Sequence, residues 1–367
     1  MKRIDVGNQV AIITLDRDLT SACEKELLDL SASPAYGIQQ ALILDFGSIE
    51  LLDNTGINTL VKLHACTVRA GTRLLVSGLS KPYKGVFAVT GLDGGFHACS
   101  SRSEAYRKTG VSDRAMAKAI ADNLSIKGNT KAIEAECWAA PVKRLKTGRI
   151  QGDPINLNVD GRRTAGPIQG FGQLWEKTYR VDLSDTRLST TRLISIVKRN
   201  FPKFQPPENK FFPSARGIEP GEIILINADT PGGLVATGVV VLYAGKDTFT
   251  FITPQGHPEA GWVTFKALKE NGRVIFQIQG LARASDPVYE IAFRIAGSNL
   301  QRQIWTHVLE SLAKYTGSSA KVQFNMQCLD NSLHVSNLFN VFQNAQISSM
   351  LHSFSNRLQS NKPAKKS

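Results

Sequence analysis

The sequence predicts two domains of different class: an α/β sheet covered by helices, then an α+β unit whose antiparallel sheet curves around one long helix. Three observations carry this expectation. Residues 41–46, from Ala41 to Phe46, are apolar except for Asp45, a run of the kind found in strands covered on both faces. The turn Asp53-Asn54-Thr55-Gly56 follows, and after it Ile57, Leu60, Val61, His64 and Val68 recur at three- and four-residue steps, one face of a helix. Much later, strand-like stretches succeed one another between Glu222 and Leu281, and a helical pattern closes them.

The first domain is expected over residues 1–108. Val10 to Leu15 reads as a strand, and Ala22 to Leu30 as a helix that Thr20 or Ser21 can cap. The apolar strand, the turn and its helix come next, with Gly71 closing the helix. Asp53 is a good capping residue, and Gly56 lets the backbone turn sharply into the first helical turn. Free N–H groups there would receive a phosphate or a partner's polar atoms. Arg73 to Ser77 is a strand, Pro82 opens a short helix, and Gly91-Leu92-Asp93-Gly94-Gly95 is a turn before a strand near Phe96-His97-Ala98. Ser101 to Arg107 reads as a last helix.

Residues 109–150 form the expected connector, with a helix at Asp113–Leu124. The second domain is expected over residues 151–318. Asp160-Gly161 reads as a hairpin turn, Tyr179 to Leu183 as a strand, and Thr190 to Asn200 as a helix stopped before Pro202. Strands are expected at Glu222–Asn227, Val235–Tyr243, Thr248–Thr253, Trp262–Leu268 and Arg273–Leu281, the last opened by the hairpin signal Asn271-Gly272. The long helix runs from about Asn299 to Tyr315, with Leu300, Ile304, Val308 and Leu312 on one face. Residues 319–367 read as a polar tail, partly helical or disordered, loose from Lys362 onward.

Composition narrows the function classes. A hydrophobic share of 42% is ordinary for a globular chain. No apolar run reaches the roughly 20 residues that span a bilayer, and Met1-Lys2-Arg3 has no apolar core behind it. A cytoplasmic protein is expected. Five scattered cysteines and six histidines show no metal-ligand spacing, and no phosphate-binding, dinucleotide or nucleophile-elbow motif is present. No cofactor and no metal are expected. The net charge of +13 is diffuse: residues 1–110 hold 12 Lys/Arg against 11 Asp/Glu, and residues 321–367 hold 5 against 1. This argues against a nucleic-acid face and leaves the basic tail to an acidic protein or an anionic membrane surface.

Residues 1–108 resemble a STAS domain, the fold of anti-sigma-factor antagonists. The likeness rests on element order, on Leu42-Ile43-Leu44-Asp45-Phe46, and on Leu52-Asp53-Asn54-Thr55-Gly56-Ile57. It implies a protein-docking module whose residue after the aspartate is a Ser or Thr phosphorylated by a partner kinase. Here that position is Asn54, which accepts no phosphate and imitates the unmodified state. Thr55 carries a hydroxyl one position later. Residues 168–316 are similar to the DUF1990 family through Gly170-Phe171-Gly172-Gln173-Leu174-Trp175, Arg199-Asn200-Phe201-Pro202, Pro231-Gly232-Gly233, Thr253-Pro254-Gln255-Gly256-His257, Ala260-Gly261-Trp262 and Asp286-Pro287. That likeness implies a START-like helix-grip fold, a shape that holds apolar molecules.

The expected function is regulatory binding. Asp53, Asn54, Thr55 and Gly56 form the docking site for a protein partner, an anti-sigma or related signalling protein, which requires Asn54 to be open to solvent. A small apolar ligand is expected in the grip, bordered by Arg216, Glu222, His257, Trp262, Arg283, Tyr289 and His307. The alternative is a helix-grip enzyme of cyclase or hydratase type, which a tight cluster of His257, Glu222 or Tyr289 with perturbed pKa values inside the cavity would favour. A third possibility is a purely structural unit, with Phe249, Phe251, Phe265 and Phe276 filling the interior.

Overall fold

The computed structural model describes residues 1–6, 9–16, 18–32, 40–110 and 132–360. The chain divides into Met1–Pro141 and Val142–Ser367. The helix expected at Asp113–Leu124 lies outside the described residues, as does the tail from Lys362.

In the first unit, β1 (Lys2–Val6), β2 (Val10–Thr14), β3 (Ala41–Asp45), β4 (Arg73–Ser77) and β5 (His97–Ala98) form one sheet in that order. β1 and β2 are antiparallel, and the other pairings are parallel. β1 escapes a reading of the sequence because Lys2, Arg3 and Asp5 give it the charged character of an edge. β3 lies at the centre, and all five of its residues are buried. Among the described residues of this unit the α-helices are α1 (Glu24–Ala32), α2 (Gly56–Arg69), α3 (Lys81–Thr90) and α4 (Arg102–Arg107). Ile57, Leu60 and Val61 of α2 are buried as the spacing requires, whereas Val68 is 50% exposed. His64 stacks on the ring of Phe96 with centroids 5.8 Å apart.

The second unit is a nine-stranded sheet with every pairing antiparallel. In chain order its elements are β6 (Thr164–Ala165), β7 (Leu174–Asp182), α5 (Thr190–Asn200), β8 (Asn209–Phe212), β9 (Ile223–Thr230), β10 (Gly233–Ala244), β11 (Thr248–Pro254), β12 (Glu259–Glu270) and β13 (Arg273–Ala284). Then come α6 (Pro287–Ala292), α7 (Ser298–Thr316), β14 (Gln323–Asp330) and α8 (Ala345–Ser360). Asn271 and Gly272 both have positive φ, 49° and 79°, the left-handed pair that a two-residue hairpin between β12 and β13 demands. The hairpin expected around Asp160-Gly161 is a turn without flanking strands; Leu145 exchanges backbone hydrogen bonds with Gly161 and Arg162 there instead. β14 falls in the stretch read as a polar tail. It pairs with β7 at the edge of the sheet, from Gln323 opposite Arg180 to Asp330 opposite Leu174.

The core lies between one face of the sheet and the helices α5 and α7. Tyr179, Val181, Phe249, Phe251, Phe265, Phe276 and Ile278 meet Leu193, Val197, Val308, Leu309 and Leu312. Phe201 stands edge-on to Phe211, Phe251 and Phe265 at 5.2, 5.3 and 5.2 Å, and Phe249 stacks on Phe265 at 4.6 Å. This is a helix-grip arrangement whose grip is filled by aromatic rings in mutual contact.

Candidate functional site

The turn of the first unit is built by Asp53. Its Oδ1 accepts from the Thr55 N–H at 3.0 Å, the Gly56 N–H at 2.7 Å and the Thr55 hydroxyl at 2.7 Å. Thr55 Oγ1 in turn accepts from the Ser21 N–H at 2.9 Å. The N–H groups of Thr55 and Gly56, expected to be open to a ligand, are therefore already satisfied by Asp53. Gly56 does not have a positive φ. Its role is close approach: a Cβ there would lie 2.2 Å from the carbonyl oxygen of Leu19. That contact places the N-terminus of α2 against the backbone of residues 19–21.

Asn54 is 1% exposed and Thr55 is 6% exposed, so the expectation that Asn54 faces solvent is corrected. Residues 19–21 lie against the turn, the Asp53 N–H donating to the Leu19 carbonyl at 3.3 Å and the Ser21 N–H to Thr55 Oγ1 at 2.9 Å. The groups open to solvent around it are Asp18, Ser21 and Glu50, with Asp53 half-buried.

A second feature beside the turn has only a weak sequence signal. The segment Ala132–Pro141 straps the backbone just before Asp53. The Ile133 N–H donates to the Glu50 carbonyl at 2.7 Å, and the indole N–H of Trp138 donates to the Leu52 carbonyl at 3.3 Å. The Tyr83 hydroxyl also donates to the Glu50 carbonyl and accepts from the Leu52 N–H at 3.0 Å. Burial pushes its phenol up to about 12, with the Leu52 hydrogen bond opposing. Trp138 next to Ala139-Ala140-Pro141 is an isolated apolar anchor in a polar stretch, and that is the signal that points to it.

In the second unit the seven residues expected around a cavity do not share one. Arg216 and Glu222 form an ion pair at 3.1 Å, with the Arg216 side chain 73% exposed. His307 is exposed on α7. Trp262 alternates with Val263 and Phe265 along β12, which puts it on the opposite face of the sheet from the aromatic core. Arg283 shares that outer face, since Trp262 pairs with Leu281 and Ala260 with Arg283. A cleft of about 470 Å³ lies elsewhere, lined by Arg180, Asp182, Glu270, Asn271, Arg273 and Gln323. None of the seven borders it.

What the fold does bring together is Arg283, His257 and Tyr289 with the segment after β14. Arg283 is 3% exposed and pairs with Asp330, which is 1% exposed. Its Nη1 donates to the Gly172 carbonyl at 2.7 Å and to the Ser332 carbonyl at 3.2 Å. Asp330 also accepts from Ser332 N–H at 3.1 Å and Ser332 Oγ at 2.8 Å. Burial alone raises its carboxyl, but the Arg283 and Ser332 hydrogen bonds outweigh that and hold it below the usual range. Burial pulls Arg283 down, and Asp330 opposes. His257 Nδ1 lies 3.1 Å from the Glu259 backbone, and burial pushes the imidazole down to about 4.

Three asparagines fasten the following segment. Asn337 donates to the Ile168 and Gly170 carbonyls, Asn340 to those of Gln169 and Ser285, and Asn344 to Asp286 Oδ2 at 2.8 Å. Asp286 caps α6 through the Tyr289 N–H, and the Tyr289 hydroxyl accepts from the Gln346 N–H at 2.9 Å. Gly256 admits this segment closely; a Cβ there would lie 1.9 Å from the Gln343 carbonyl oxygen. The motifs around Gly170, Gly256 and Asp286 thus converge on one anchor. Many of its polar groups bond to one another, and Glu222 lies outside it, paired with Arg216. Among the described residues, no group of three or more His, Cys, Asp or Glu is placed to hold a metal ion.

Residues 3–105 match the STAS domain family. No curated protein matches the chain in sequence. Among solved structures, a sulfate transporter family protein from Wolinella succinogenes is 20% identical, covers 29% of this chain and 89% of its own, with a TM-score of 0.25. A START superfamily protein from Mycobacterium smegmatis is 17% identical, covering 40% of this chain and 98% of its own, with a TM-score of 0.29. Ginseng major latex-like protein 151 from Panax ginseng is 8% identical, covering 40% and 99%, with a TM-score of 0.27. The helix-grip description of the second unit rests on its own strand order and on the helix across its sheet.

Proposed function

We propose that the STAS domain at residues 3–105 docks a protein partner and that the chain is a regulatory binding protein without turnover. The observation that supports this is the state of the turn. Asn54 stands where the family carries its phosphate acceptor, and the neighbouring Thr55 hydroxyl is already used, donating to Asp53 and accepting from Ser21. With asparagine at that position and the Thr55 hydroxyl engaged, docking here is constitutive and free of control by phosphate. The contact is made by the open rim, Asp18, Ser21, Glu50 and Asp53, rather than by the Asn54 amide. Three carboxylates in that rim favour a partner with a Lys/Arg-rich surface, of the anti-sigma or related signalling kind. A bacterial cytoplasmic setting belongs to the same reading.

For the second unit, the likeness to the DUF1990 family and the helix-grip topology suggest a holder of apolar molecules. The interior speaks for a different role. A small ligand there would have to part the rings of Phe201, Phe249, Phe251 and Phe265, which already touch. We read this unit as a packed body that carries the C-terminal elements.

The test is site-specific photo-crosslinking of the full chain in cells, with the probe at Glu50 or, as the control, at Lys210 on β8. One partner captured from Glu50 and absent from Lys210 supports the docking rim. Equal capture from both positions, or none from either, refutes it. Mass spectrometry of small molecules released from the purified chain tests the second unit, where recovery of a stoichiometric apolar molecule would reverse the reading.

A further inference from the structure

The C-terminal helix is amphipathic in the reverse sense. α8 lies on β10 with its small and polar side: Ala345 and Ser349 are 0% and 1% exposed, and Ser349 Oγ accepts from the Ala236 N–H at 3.1 Å. Its opposite side carries Ile347, Met350, Leu351 and Phe354, exposed by 41, 43, 65 and 58%. Their spacing makes one continuous stripe along the helix.

The 3-10 segment Val335–Gln343 repeats the arrangement. With three residues per turn, Asn337 and Asn340 share one face and bind the protein, while Phe339 and Phe342 share another. Phe339 and Phe342 stack at 6.3 Å and are 71% and 83% exposed. α6 packs against this segment, and on it and the turn that follows Val288, Ile291 and Ile295 are 45, 60 and 80% exposed. Burial of apolar surface is the main force of folding, so a chain that spends its amides inward and its phenylalanines outward is shaped for a second apolar phase.

Charge selects that phase. Residues 331–367 contain no Asp or Glu and four cations, Arg357, Lys362, Lys365 and Lys366. A second copy of the chain would bring like charges together, whereas an anionic surface would neutralise them. We propose that α8 and the Val335–Gln343 segment form a platform that lies on an anionic lipid surface, with the apolar stripe in the acyl boundary and the net positive charge of residues 331–367 favouring anionic headgroups. Among the described residues no helix is long and apolar enough to cross a membrane, so the contact is peripheral.

Co-sedimentation of the full chain with vesicles tests this. Vesicles of equal parts phosphatidylcholine and phosphatidylglycerol should bind the protein, and pure phosphatidylcholine vesicles should bind it at least ten-fold less, since each lysine near the surface is worth about five-fold. Exchanging Phe342, Leu351 and Phe354 together for Ser should abolish partition. The circular dichroism should stay unchanged because all three already face solvent. Lys362→Gln, Lys365→Gln and Lys366→Gln combined should weaken binding roughly 100-fold. No partition to either vesicle, or partition unaffected by the serine exchanges, overturns the proposal. A dimer in sedimentation velocity that the serine exchanges dissolve, without vesicle binding, overturns it in favour of an interface between copies.

Discussion

Replacing Asp330 by Ala leaves the Arg283 guanidinium 3% exposed with its countercharge gone. Two carbonyl acceptors remain to it, Gly172 at 2.7 Å and Ser332 at 3.2 Å, but both carry only partial charge. The Ser332 N–H and hydroxyl also lose their acceptor. Removing one partner of a buried pair costs about 3–5 kcal/mol. For a unit the size of Val142–Ser367, each kcal/mol lowers the melting temperature by roughly 2–4 °C, so a drop on the order of 10 °C is expected. Calorimetry of the full chain measures the shift, and hydrogen exchange assigns it. Residues 323–345 should lose protection while β3 and β4 keep theirs. The double exchange Arg283→Met with Asp330→Leu should be milder than Asp330→Ala alone, because no charge is then stranded. A single-variant drop below about 2 °C, or equal loss of protection at residues 41–77, would refute the view that this pair anchors the C-terminal segment.

Three further outcomes follow from buried polar groups. Asn54→Asp puts a carboxyl into a site 1% exposed, and a cost of roughly 2 kcal/mol is expected at pH 8. Burial would raise that carboxyl's pKa, so the variant should approach the wild type as pH falls toward 4; a penalty independent of pH would count against it. His257 is held down at about 4 against an ordinary value near 6.5, so its neutral form is favoured in the fold. Its contribution is complete above pH 6.5 and is lost as pH falls toward 4; in urea titrations, His257→Gln should flatten that decline by about 2 kcal/mol, and an unchanged slope would exclude the histidine as its source. The Tyr179 hydroxyl is buried without a hydrogen-bond partner, and burial pushes its pKa up, so Tyr179→Phe should leave stability unchanged or raise it by up to about 1 kcal/mol. A loss above that size would mean that the hydroxyl is satisfied after all.

The fold was legible where its causes are local. The apolar run at Ala41–Asp45, the Asn271-Gly272 hairpin and the spacing on α2 and α7 each carry their reason within a few residues. Gly56 was legible as a necessary glycine but not for its cause, which is a carbonyl at Leu19 brought in by tertiary packing. The Asn-rich stretch after Asp330 reads as a solvated tail because amides are polar; only the fold reveals that Asn337, Asn340 and Asn344 meet backbone carbonyls and Asp286 from distant loops. The expected cavity came from fold analogy. Whether a curved sheet leaves room beneath its helix depends on which rings share a face, and here Phe201 reaches the strand phenylalanines from a 3-10 turn the sequence presents as loop.

The Trp138 strap bears on where this protein can be cut. A fragment ending at residue 105, the end of the family match, would omit the indole that covers Leu52 and the proline that lies 3.5 Å from the Cβ position of Gly85 on α3. Such a fragment would bare fresh apolar surface beside the Asp53 turn and is expected to aggregate more readily than one carried through Pro141. Anyone isolating this half for partner screening should carry it through Pro141.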